Sequence, residues 1–378
     1  ANNNTALGQG SMFLTTEGEE NTAVGKSALD ANTTGNNNTA VGKDALGALT
    51  TASGNTAVGH SAAAANTTGT GIVAIGKNSL LSNVDGTQNV AIGQNALDAN
   101  TSASNNTAVG HDALTANTTG TQNVAVGATA LDANTTSGNN TAVGYGSLGQ
   151  STGEDNTAVG RFALGANTTA SNNTAVGKNA LLSNQTGTKN VAVGENALDA
   201  NLTSDNNVAV GNEALGLCTG EKNTCIGTDA GNAITTGSNN TVIGNNADTS
   251  AAHVSNSINL GDANIISLRC QVQTISNLSD ERDKTNIVDC TDGLSLINLL
   301  KPRKFTWAMR EASANDGRTE LGFIAQELDT ALGDKNDYIH AVSKDNPDKL
   351  EASYGRFIPI LVKAVQELSA KVTALEAG

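Results

Sequence analysis

Ser279 and Lys284 stand five residues apart in the run Ser279-Asp280-Glu281-Arg282-Asp283-Lys284, and this is the place where the chain carries a nucleophile with a base beside it. A serine hydroxyl attacks only when something takes its proton, and a lysine amine does so only if burial or neighbouring cations depress its pKa. A nucleophile with a lysine five residues on, at a boundary between two kinds of sequence, is what a chain would carry if that boundary were meant to be cut. A serine and a lysine at this spacing carry little weight alone, and Asp280, Glu281 and Asp283 oppose any fall in the lysine's pKa unless they point away. The other reactive side chains point to no site. Cys218, Cys225, Cys270 and Cys290 lack paired spacing and a neighbouring His cluster, so they read as buried or incidental thiols, and no metal or cofactor is expected. His60, His111 and His253 are isolated and read as solvated. No pair of carboxylates gathers for sugar cleavage.

The same hexapeptide divides the chain. Before it runs a repeat of Asn, Thr, Ala and Gly; the 100 residues from Ser279 hold the only Trp, all three Pro and 13 of the 21 Lys and Arg. Net charge divides as 8 − 19 = −11 for residues 1–278 and 13 − 17 = −4 for residues 279–378, so neither part offers the basic field that nucleic acid requires. No stretch approaches the roughly 20 apolar residues of a membrane helix, and no signal segment opens the chain, so a soluble protein without membrane insertion is expected. The chain starts at Ala1 rather than Met, as a fragment or processed product would.

Sixteen glycines, from Gly8 to Gly261, recur at thirteen intervals of 17 residues and two of 16, Gly144 to Gly160 and Gly211 to Gly227. A period of this length signals a solenoid. In the unit Asn38-Thr39-Ala40-Val41-Gly42-Lys43-Asp44-Ala45-Leu46, an extended segment places Thr39 and Val41 on one face and Ala40 on the other. The expectation is Val inward and Ala outward, Ala45-Leu46 as a second buried position, two short strands per coil, and turns at glycines such as Gly25, Gly42, Gly59, Gly93, Gly110, Gly177 and Gly211. Sixteen coils at about 4.8 Å would stack to roughly 75 Å. A Val and a Leu per coil make a thin core, and an outward row of Ala would let chains approach closely, so three chains around a common axis are expected. Repeated Asn-x-Thr triplets such as Asn32-Thr33-Thr34 reflect the recurring turn rather than glycosylation, and stacked Thr and Asn read as hydrogen-bonded ladders rather than an ice-matching surface. The acidic pattern of calcium-binding β-rolls is missing. Regularity fails where Gly231 and Asp248 replace the usual Leu, and residues 262–278 read as a narrower β neck.

These units resemble the heads of trimeric bacterial adhesins, left-handed parallel β-rolls with Asn-x-x-Val-Ala-Ile-Gly repeats; Asn89-Val90-Ala91-Ile92-Gly93 and Asn207-Val208-Ala209-Val210-Gly211 are close matches. That family's coil is shorter. Downstream, four stretches in order are similar to the intramolecular chaperone of phage tail spikes and fibres, the S74 peptidase family: 279–287, Leu300-Lys301-Pro302-Arg303-Lys304-Phe305-Thr306-Trp307, Leu321-Gly322-Phe323-Ile324-Ala325-Gln326-Glu327-Leu328, and 354–368 from Tyr354-Gly355-Arg356-Phe357 onward. The resemblance implies a domain that trimerises, guides folding of the upstream fibre and removes itself, with Ser279 as nucleophile, Lys284 as base and Ser279–Asp280 as the bond cut. Independently, Leu361, Val365, Leu368, Val372 and Leu375 are spaced 4, 3, 4 and 3, a coiled-coil seam, with Pro359 acceptable at a helix start. The competing reading of that spacing is a helix packed on its own domain.

The sequence thus predicts a mainly β protein: a trimeric parallel β-solenoid over residues 1–261, the neck, and an α+β chaperone domain over 279–378 ending in a coiled coil. The function expected is that of a virion tail fibre or spike, folded in the host cytoplasm, binding itself as a homotrimer and a host-surface receptor. The alternatives are a cell-surface adhesin that retains its trimerisation domain and, further off, an ice-binding solenoid.

Overall fold

The structure, a computed structural model, describes residues 2–262, 264–265, 279–308, 317–346, 348 and 350–378. It divides into two compact units, Ala1–Asp262 and Ala263–Gly378. Cys270 and nearly all of the expected neck lie outside the described residues.

The first unit is a solenoid of sixteen three-residue strands, β1 (Thr5–Leu7) through β16 (Ile258–Leu260), stacked in chain order into one parallel sheet. Each strand meets the next one repeat later, with Thr39 opposite Thr56, Ala40 opposite Ala57 and Val41 opposite Val58. The 16-residue intervals keep this register, Thr141 facing Thr157 and Val208 facing Thr224.

There is one strand per coil, not the two expected. The Ala45-Leu46 side remains a turn because Asp44 and Leu46 sit at φ 59° and 49°, and left-handed residues two apart cannot extend into a ladder. A left-handed residue other than Gly costs roughly 1–2 kcal/mol. Burying a Leu contributes about 1.5–3 kcal/mol, so a single coil barely gains and stacking decides the fold. The seven glycines expected at turns all have φ between 135° and 141°. A Cβ on Gly42 would stand 2.2 Å from the Gly59 carbonyl oxygen, so conformation and close approach both require glycine there.

The expected orientation of the strand is reversed. Ala40 is wholly buried, and Thr39 and Val41 are half-buried and face outward. The coil is flat enough that the strand lies against the buried Ala45 and Leu46, leaving room for a single methyl group. Two later coils show the constraint: Cys225 and Val242 take the inner strand position in β14 (Thr224–Ile226) and β15 (Thr241–Ile243), and there the facing Leu is replaced by Gly231 and Asp248. A Cβ on Gly231 would meet Cys225 Sγ at 2.5 Å.

Two asparagine columns satisfy the interior. The amide oxygen of Asn21 accepts from the backbone N–H of Asn38, and that of Asn38 from Asn55, at 2.9 and 3.0 Å. In the other column Asn83 donates to Asn66, and Asn100 to Asn83, both at 2.8 Å. This second ladder is interrupted at Leu49, at Ile234 and at the two short coils, where Ser151 and Cys218 stand in for Asn and leave the Oδ1 atoms of Asn134 and Asn201 without partners. Asn32 belongs to this column and is wholly buried, as a turn residue rather than a glycan acceptor.

The second unit is small and mixed. Strands β17 (Arg303–Thr306) and β18 (Thr319–Gly322) pair antiparallel, as do β19 (Val342–Ser343) and β20 (Glu351–Ala352). Helices α1 (Leu294–Ile297), α2 (Ala325–Leu332), α3 (Asn336–Ile339) and α4 (Ile358–Glu376) complete it. Leu296, Leu328, Leu332, Val342, Phe357 and Ile360 share its apolar core.

Candidate functional site

The stretch around Ser279 is a short turn built by its own side chains. Asp280 caps the 3-10 turn Glu281–Asp283, accepting from the Arg282 backbone N–H at 2.9 Å and from Arg282 Nε and Nη2 at 3.0 and 2.5 Å. The Lys284 N–H then donates to the Glu281 carbonyl at 3.1 Å, closing the turn. The closure brings residues 279 and 284 together: Lys284 Nζ donates to Ser279 Oγ at 2.6 Å and to the Ser279 carbonyl oxygen at 3.2 Å. The lysine therefore touches both the hydroxyl and the carbonyl of the Ser279–Asp280 bond. Asp280 is turned toward Arg282, whose hydrogen bonds hold its carboxyl below the usual range. This answers what the sequence left open about that carboxylate.

Three of the four stretches singled out in the sequence are tied to one another, 300–307, 321–328 and 354–368. Arg303 donates to both oxygens of Glu327, at 2.9 and 2.6 Å. The Phe323 N–H donates to the Tyr354 hydroxyl at 3.0 Å, and their rings meet edge-on at 5.4 Å. Gly322 is glycine because a Cβ there would stand 2.6 Å from that hydroxyl. Glu367 on α4 accepts from the Leu294 N–H at 2.9 Å and so caps α1. Sequence reading missed Asp292: it is buried, paired with Lys335 and hydrogen-bonded to Tyr338, and these two, Lys335 first, hold its carboxyl low.

Helix α4 packs on its own domain, but not through the predicted seam. Ile360 and Ala364 are buried against the domain, whereas Leu361, Val365, Leu368, Val372 and Leu375 are 45–82% exposed. The helix thus has two apolar faces, one used within the chain and one left outward.

In the solenoid, Cys218 and Cys225 are buried free thiols, and burial pushes Cys225 up to about 12, which leaves it unreactive. Cys290 is exposed. His60, His111 and His253 lie at the surface. Among the described residues, no helix is long and apolar enough to cross a membrane.

Residues 279–336 match the family model described as chaperone of endosialidase, peptidase S74. No curated protein matches the chain. The chain therefore carries a chaperone-of-endosialidase domain that begins at Ser279, downstream of a parallel β-solenoid, an organisation in keeping with a phage tail spike-like protein.

Proposed function

We propose that this chain is the shaft and receptor-binding part of a phage tail fibre or spike, assembled as a homotrimer under the guidance of its C-terminal domain, which can then release itself. The observation that carries the reading is the chaperone-of-endosialidase match starting at Ser279, the residue whose hydroxyl Lys284 contacts at 2.6 Å.

Two outward surfaces support the trimer. The first and third residues of the sixteen strands form two rows that are all Thr, Val, Ile or Leu, without one charge. Along the third-position row Val58, Ile75, Val176 and Ile243 keep 36–42% of their surface exposed. An uncharged β-branched face of this length is what neighbouring chains cover. The interface is thus assigned to the Thr/Val face, and the Ala face that first suggested it is the interior. The outward seam of α4 supplies the second contact.

Cleavage follows from the same assembly. Ser279 Oγ is joined to its own carbonyl carbon through Cβ and Cα, so attack within one residue would close a strained four-membered ring. We assign the attack to a Ser279 on a neighbouring chain. Its Oγ bonds to the carbonyl carbon, Lys284 takes the hydroxyl proton and passes it to the departing Asp280 nitrogen, and water then hydrolyses the ester. The test is co-assembly of wild-type chains with tagged Ser279→Ala chains, read by mass. Cutting of the tagged chain supports attack between chains, and a tagged chain left whole beside cut wild type overturns it. A particle that light scattering finds monomeric at micromolar concentration overturns the fibre reading itself.

A further inference from the structure

The solenoid's aromatic residues and its arginine fall almost entirely in one place. In residues 1–262 the only aromatics are Phe13, Tyr145 and Phe162 and the only arginine is Arg161. Tyr145 and Phe162 meet edge-on with ring centres 5.2 Å apart, and the Arg161 guanidinium stacks over Phe162 at 4.7 Å. Two residues past the repeat glycine, most coils carry a small polar side chain such as Asp44, Asn95, Asn179 or Asn196; here the residues are Gly146 and then Phe162. Five past it, neighbouring coils carry Asp132 and Leu182, and the two coils between them carry Gly149 and Gly165.

The missing side chains open a pocket of about 640 Å³ lined by Asp132, Gly146, Gly149, Gln150, Phe162 and Leu182. Gly146 seats the ring, since a Cβ there would lie 2.7 Å from Phe162. The coil that forms the pocket is also one of the two short ones, and it gives up ladder continuity at Ser151. The other short coil has no aromatic residue, so shortening alone does not produce this arrangement.

We propose that this pocket binds one pyranose unit of a neutral glycan, its C–H face against the side of Phe162 away from Arg161 and its hydroxyls on Asp132 and Gln150. An aromatic ring beside a few convergent polar groups is the composition of a sugar subsite. A carboxylate accepts strongly from hydroxyls, and it disfavours anionic sugars, as does the acidic solenoid around it. The site stands on its own geometry; its use in host attachment rests on the fibre reading above.

Saturation-transfer NMR on the full-length chain tests it, with methyl glycosides of glucose, galactose and N-acetylglucosamine and their trisaccharides as probes. Transfer to ring C–H protons of at least one probe is expected. It should weaken at least tenfold in Phe162→Asn, which places there the residue that neighbouring coils use at the same left-handed position, and in Gly165→Leu, which restores the side chain that Leu182 supplies one coil on. Both substitutions copy neighbouring coils, so unchanged thermal melting is expected of each. No transfer from any probe, or transfer undiminished in both folded variants, overturns the proposal. Trimer mass and self-cleavage are unaffected in either case, so failure of the site is distinct from failure of the fibre reading.

Discussion

At the scale of single residues, the pairing of Ser279 with Lys284, proposed above to cut the chain, depends on where Asp280 points. Arg282 holds that carboxylate through three hydrogen bonds and leaves Lys284 to Ser279. Loss of the hydroxyl removes the nucleophile, and loss of general-base help typically costs about 10²- to 10⁴-fold in rate. Ser279→Ala and Lys284→Ala should therefore nearly stop formation of fragments 1–279 and 280–378, measured by denaturing gel and intact mass, while leaving the trimer unchanged. Undiminished cleavage in Lys284→Ala would remove the lysine from the mechanism. Arg282→Ala should slow cleavage too, because the freed Asp280 becomes a competing partner for the amine; a faster reaction would show that Arg282 is a bystander. The pair was legible in the sequence only through the motifs around it, since two residues five apart meet only if a turn closes between them. The turn depends on the Asp280 cap and the Arg282 contact, which spacing does not reveal.

At the scale of elements, the coil's period and its Leu column could be read directly, but the inner face of the strand could not. An alternating Thr-Ala-Val segment says which residues share a face, not which face is inside. The deciding signal was the compensation at Cys225 with Gly231 and at Val242 with Asp248, legible only once the Ala column is recognised as core. Ala108→Val, in a coil that keeps its Leu114, should overpack the interior and lower stability by about 1–3 kcal/mol, whereas Val109→Thr on the outward row should leave the melting of the solenoid nearly unchanged. Equal effects in chemical denaturation would contradict the assignment of faces. The two units should also respond oppositely to acid. Burial raises the carboxyls of Asp98, Asp132, Asp199 and Asp248 above the ordinary 3.8. Their folded forms bind protons more readily than the unfolded chain, so the solenoid gains stability as pH falls through the raised values toward 3.8. Asp292, held low by Lys335 and Tyr338, and Glu327, held low by Arg303, behave the other way. Stability from those pairs is present above the ordinary carboxylate range and is lost as pH falls through the depressed values. Hydrogen exchange followed from pH 6 to pH 3 should show protection lost first in residues 279–378; earlier loss in the solenoid would contradict the burial argument.

At the scale of the whole molecule, stacking three-residue strands from sixteen coils in register, and in three chains under the proposed assembly, is a non-local problem, slow and open to slips of one repeat. Neighbouring coils are so alike that a shifted register would bury nearly the same side chains. Under the proposed assembly, a C-terminal helix with a second, outward apolar face would fix the register before the solenoid zips. Under this reading the domain is needed to assemble the solenoid but not to hold it. A chain ending at Leu278 should emerge aggregated or unassembled, while protein that has already cut itself should remain trimeric in light scattering. Leu368→Asp places a charge in the middle of the exposed seam, away from Ile360 and Ala364, so the domain should still fold on its own core as judged by its circular dichroism. It should nevertheless lose the proposed trimer, and with it any cleavage by a neighbour's Ser279, although Ser279 and Lys284 are untouched. Cleavage that persists in a monomeric Leu368→Asp chain would place the reaction within one chain. A Leu368→Asp chain that trimerises as well as wild type would take the seam out of assembly altogether and leave the Thr/Val face of the solenoid as the surface that joins the chains.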